Sequence, residues 1–165
     1  MSRSRLARAA AGLALACAAL ATACVHQTLP VTEGQASQAG IAPQLAVERF
    51  LRAANCVASN NCATKTEDIE TMGKLFGTHD GSILKRDPRG DVEKRMFALA
   101  SLLQSDDYKV QGQNIVPGRL GQAVLLNVRI KQGGREYQLP VTVVRSGSGD
   151  WLVEKIDLKP LTQNQ

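Results

Sequence analysis

QAVLLNVRIKQGGREYQLPVTVV, residues 122–144, decides the fold class. Val124, Leu126, Val128 and Ile130 fall on one parity, and Asn127, Arg129 and Lys131 fall on the other. That two-residue period is the signature of a strand with one buried face. Gly133-Gly134 is a hairpin dipeptide, and Tyr137, Leu139, Val141 and Val143 resume the alternation on the returning strand. Pro140 has no N–H to give a ladder, so it marks that strand as an edge or as the site of a bulge. The segment predicts an antiparallel hairpin.

Further strands flank it. Ser146 to Gly149 makes the next turn, and Trp151 to Leu158 reads as the last strand. Trp151 and Val153 share one parity, whereas Ile156 and Leu158 share the other, so a bulge near Glu154-Lys155 is needed to bring all four to one side. Upstream, Tyr108 to Val116 is a weakly patterned strand that ends in a Pro117-Gly118 turn.

Before Asp107 the period is helical. Pro43 opens a first helix whose stripe is Val47, Phe50, Leu51, Ala54 and Val57, with Glu48, Arg49 and Arg52 opposite. Thr64-Lys65-Thr66-Glu67 reads as a capping box for a second helix, with Ile69, Met72 and Phe76 buried and Gly77 as its stop. Asp87-Pro88 opens the longest helix, Asp87 as cap and Pro88 in the first turn, with Val92, Met96, Leu99, Ala100 and Leu103 inward. Three N-terminal helices and a curved four-stranded antiparallel sheet make an α+β domain over residues 43–160, with a disordered tail at 161–165.

The order of these elements carries a resemblance. MGKLF at 72–76 precedes the long helix, and WLVEKI at 151–156 closes the sheet. The pattern resembles the nuclear transport factor two-like superfamily over residues 44–158. It implies a cone whose curved sheet wraps a helix and leaves a pocket. That superfamily hosts isomerases, dehydratases, secretion-system components and binding-only lipoproteins, so the fold alone leaves activity open.

The N-terminus gives an address. Arg3, Arg5 and Arg8 precede an uncharged Ala- and Leu-rich run from Ala9 to Ala23. The run is shorter than the roughly 20 residues a bilayer span needs, and it matches the core of a secretory signal peptide over residues 1–23. Leu20-Ala21-Thr22-Ala23-Cys24 resembles the lipobox of bacterial lipoproteins, in which small residues precede the lipidated cysteine. The family prefers Leu where Ala21 stands. Ala19-Leu20-Ala21 and Ala21-Thr22-Ala23 also suit an ordinary signal peptidase. The resemblance implies a lipid on Cys24, and Val25 in place of a retaining Asp implies an outer-membrane address facing the periplasm. Residues 24–42, rich in Gln, Thr and Gly, then form a flexible tether of on the order of 25 Å.

Cleavage removes three Arg and no acid, which lowers the net charge from +5 to +2. The remaining charges interleave, so a nucleic-acid partner is not expected. Cys17 leaves with the signal. With Cys24 lipidated, Cys56 and Cys62 are the remaining pair, and an oxidising compartment predicts a disulfide between them. So short a loop contributes about 2 kcal/mol. No metal and no cofactor is expected.

Candidate chemistry is sparse. His79 and Asp80 are the adjacent His–carboxylate pair, but Gly77-Thr78 and Gly81 around them are turn composition. Asp106 and Asp107 read as exposed turn residues, and Lys85, Arg86 and Arg89 as a solvated basic cluster. The six aromatics read as core or pocket lining. No serine elbow, phosphate loop or histidine metal motif is present. The expected function is a non-catalytic envelope lipoprotein, membrane-held through its lipid, that binds an envelope protein or a small apolar ligand. The alternative is a small cone-fold enzyme of isomerase or dehydratase type using His79 and Asp80.

Overall fold

The structure, a computed structural model, describes residues 42–60 and 62–163. The signal, Cys24 and all but Ala42 of the tether lie outside the described residues. The element order is α1 (Pro43–Ala58), α2 (Lys65–Leu75), β1 (Gly77–Thr78), β2 (Gly81–Ser82), α3 (Ile83–Arg86), α4 (Arg89–Leu103), β3 (Asp107–Ile115), β4 (Ala123–Gln132), β5 (Arg135–Arg145), β6 (Trp151–Ile156) and α5 (Lys159–Thr162). The architecture is α+β, built on a four-stranded antiparallel sheet of order β3-β4-β5-β6.

The central hairpin is as its alternation predicts. Ala123 pairs with Val144 and the register runs unbroken to Gln132 opposite Arg135. Gly133 (φ 54°) and Gly134 (φ 80°) make the turn, a backbone conformation that suits glycine at both positions. In β6 the bulge falls on Glu154: Val143 pairs with Val153, and the next residue, Thr142, pairs with Lys155. A second bulge lies in β3 at Gly112 (φ 57°).

Pro140 requires a correction. It sits in β5, which is internal rather than an edge. Its carbonyl accepts the Asp157 N–H at 2.9 Å, so its nitrogen also faces the β6 side. Paired β6 ends at Ile156, one residue before Asp157 comes opposite Pro140, so the ladder stops where the N–H is missing.

One face of the sheet meets the helices. Phe50, Met72, Leu103, Leu126, Ile130 and Leu139 are fully buried in that layer. Besides the expected stripe, α1 buries Ala46 and Ala53, because it touches α2, α4 and the sheet at once. Gly73 lets α2 approach α4: a Cβ there would lie 2.9 Å from Val92 Cγ1. Phe97 departs from the expected core. One step round α4 from buried Met96, it is 48% exposed, with the Lys65 ammonium 5.3 Å from its ring centroid.

Several local expectations shift. Two one-turn helices, α3 and α5, and the β1–β2 hairpin add to the three expected helices. Leu161, placed in the tail from the sequence, is buried in α5, where Pro160 sets the first turn. Thr64 makes no capping-box bond. Its ψ of 22° turns the hydroxyl toward Asp68, whose Oδ2 it reaches at 2.7 Å. Pro88, not Asp87, is the cap residue of α4, and its carbonyl accepts the Asp91 and Val92 N–H groups. The Asp87 carboxylate instead holds Arg95. Gly77 follows the end of α2 within β1, and a Cβ there would collide with the Gly81 carbonyl.

Candidate functional site

Two cavities flank β5, one at each end. The larger, about 400 Å³, opens between the end of α4, the Gly133 turn and α5. Apart from exposed Gln104, its polar side chains are committed to the fold. The Gln132 carboxamide donates to the Leu102 and Gln104 carbonyls at 2.9 and 2.6 Å, which satisfies the end of α4. Asp106 accepts the Gly133 N–H at 3.1 Å. Ser105 is held by Asn55, which accepts its N–H at 2.9 Å. Ser101 donates to the Phe97 carbonyl and Thr162 to that of Leu158.

The smaller, about 290 Å³, lies at the other end of β5, against the β5–β6 turn, β2 and α3. Leu75, Leu152 and Trp151 form its apolar wall, with Lys74 and Lys85 exposed at its rim. Ser146 and Asp150 are tied into the turn: Ser146 Oγ accepts the Asp150 N–H at 3.1 Å, and Asp150 Oδ2 accepts the Ser148 hydroxyl at 2.8 Å. Ser82 differs. It is 7% exposed, lines the cleft, and precedes α3 without making a side-chain capping bond. Among the described residues its hydroxyl has no side-chain partner, and since no fully buried side-chain N or O atom there lacks one, it opens onto solvent in the cleft.

The candidates for catalysis, His79 and Asp80, fall beside this cleft rather than in it. His79 and Asp80 are exposed in the β1–β2 turn and do not line it. His79 Nδ1 lies 3.1 Å from the Arg145 carbonyl, which only accepts, so Nδ1 carries the proton there. The His79 carbonyl takes the Gly147 N–H at 2.8 Å. His79 thus fastens one turn to the other. Asp80 is 3.5 Å from the Thr78 hydroxyl, and no hydrogen bond joins it to His79 among the described residues.

The basic cluster separates. Arg86 donates to the Thr78 hydroxyl at 3.1 Å, and Arg89 reaches Glu93 at 2.9 Å and Glu70 at 3.5 Å. Hydrogen bonding to Glu93, then the Glu70 charge, pushes the Arg89 guanidinium above its ordinary range. Glu70 is held below the usual glutamate value, chiefly by its hydrogen bond to Lys74 at 2.6 Å. Lys85 faces the cleft with no ion pair among the described residues.

Cys56 and Cys62 are brought to disulfide distance, their Cα atoms 5.4 Å apart. Asp68 comes close enough that one atom of each of the three lies within 4.8 Å of the others. Bridged sulfurs are not thiolates, so the set lacks two of its three metal ligands while the bridge is intact. No helix among the described residues is long and apolar enough to cross a membrane.

Sequence reasoning missed Ser82, Ser146, Ser148 and Trp151 as a group. All lie in or beside Gly-rich turns, and their convergence depends on the pairing of the β1–β2 and β5–β6 turns. Comparison with known proteins returns no matching family model, curated protein or solved structure.

Proposed function

We propose that this chain is an exported lipoprotein of a bacterial envelope, anchored through Cys24 at the outer membrane, with its α+β domain serving as a non-catalytic binding module. The address rests on residues 1–24: three Arg, an uncharged run and the lipobox-like Ala21-Thr22-Ala23-Cys24. The module rests on one observation above all, the cleft beside Trp151, onto which the Ser82 hydroxyl and the Lys85 ammonium open. The layer between helices and sheet is filled by Phe50, Met72, Leu126 and their neighbours, which favours a site on the turn side over one inside the cone. His79 and Asp80 are exposed, and general acid–base work calls for a group in reach of a bound substrate.

A nuclear transport factor two-like cone remains part of this proposal. It is supported by helices α1, α2 and α4 preceding the sheet, and by bulges at Gly112 and Glu154 of the kind that bend strands.

The anchoring is tested in cells. Wild-type protein should take up a radiolabelled fatty acid and partition with outer-membrane vesicles. Cys24→Ala should abolish the label and release the protein. A wild-type chain that is soluble, unlabelled and cut elsewhere than before Cys24 contradicts the anchor.

A further inference from the structure

The cleft beside Trp151 combines three features that select a ligand class. Its wall is apolar and includes a half-buried indole, which suits a flat apolar body. Its rim carries two ammonium groups. Lys85 has no ion pair among the described residues, and Lys74 directs one of three N–H groups to Glu70. The lining's one carboxylate, Asp150, already accepts the Ser148 hydroxyl. Its floor holds Ser82, more than nine-tenths buried and without a side-chain partner among the described residues. A volume of about 290 Å³ fits a small molecule rather than a peptide.

We infer that this cleft binds a small organic anion, its charged head held by Lys85, Lys74 and the Ser82 hydroxyl and its apolar body lying on Trp151 and Leu152. The inference rests on the binding-module proposal and gives it a ligand class. A carboxylate and a phosphate monoester share the required chemistry: oxygen acceptors for ammonium and hydroxyl donors.

Trp151 is the chain's one tryptophan, so its emission reports on the cleft directly. The full chain, purified in detergent, is titrated with benzoate, with phenyl phosphate and with neutral benzamide. A saturable emission change is expected with at least one anion. Benzoate alone assigns a carboxylate head, phenyl phosphate alone a phosphate head, and either supports the inference. Benzamide should bind at least about tenfold more weakly. Lys85→Gln should raise the half-saturating concentration about tenfold and Ser82→Ala about fivefold. Lys109→Gln, on β3, should change nothing. Lys85 is exposed, so its substitution tests the site without threatening the fold. Flat titrations with both anions overturn the inference, as does benzamide matching them or unaltered affinity in both cleft variants. If titrations are flat while Cys24 still takes up lipid, the ligand class falls and the anchored-lipoprotein proposal stands.

Discussion

At the start of β5, the cavity beside Gly133 is walled, exposed Gln104 apart, by polar side chains that complete the fold. At its finish, the cleft beside Trp151 holds one hydroxyl and one ammonium group with no side-chain partner among the described residues. The larger cavity is the more polar in composition, yet Gln132 and Asp106 each satisfy a backbone group and the Ser105 hydroxyl is bonded to Asn55. Size and polarity therefore do not separate a site from a seam. What separates them is whether the polar groups are already used, since a committed donor gains little from a ligand.

One core supports both ends, and its disruption should give the largest effect. Phe50→Ala, at a fully buried position that meets Phe76 at 5.9 Å between ring centroids, should lower stability by about 3–5 kcal/mol in urea unfolding. Anion binding and hairpin order should then be lost together. If only one end fails, the two regions do not share a core. Next in size is the Cys56–Cys62 pair. Its reduction should cost about 2 kcal/mol and lower the melting temperature without altering anion affinity, because the pair lies outside the cleft lining.

Gln132→Ala addresses the seam itself. Two carbonyls at the end of α4 lose their donor, and stability should fall by about 1–2 kcal/mol with no change in Trp151 titration. Lys85→Gln is its counterpart, with stability within about 0.5 kcal/mol of wild type. A Gln132 variant that binds poorly, or a Lys85 variant that unfolds easily, breaks the distinction.

The smallest effect concerns Glu70. Its folded value is depressed, so its contribution is full above the ordinary glutamate value and is lost as pH falls through the depressed one. Glu70→Gln should be slightly less stable than wild type at pH 7, and the gap should close in acid. The same change frees Lys74, so anion affinity at pH 7 should rise slightly.

How far the sequence carried each region follows from the range of the forces involved. The β4–β5 hairpin was legible because alternation and Gly133-Gly134 are local signals. The Glu154 bulge was legible from a parity change within one strand. Pro140 misled because its meaning depends on where β6 stops, some sixteen residues later. The Thr64 box failed because the hydroxyl had a stronger nearby acceptor in Asp68. The cleft was the least legible part. Ser82 and Trp151 are distant in sequence, and β1–β2 is brought to the β5–β6 turn through His79, the residue singled out for catalysis.

The division between seam and site is tested most directly by amide chemical shifts of the isotope-labelled full chain during benzoate or phenyl phosphate titration. The predicted result is a cluster of saturating shifts at Ser82, Lys85 and residues 146–152, with residues 101–106 and 132–133 unmoved. Shifts centred on the Gly133 end, or none at either end, would contradict it.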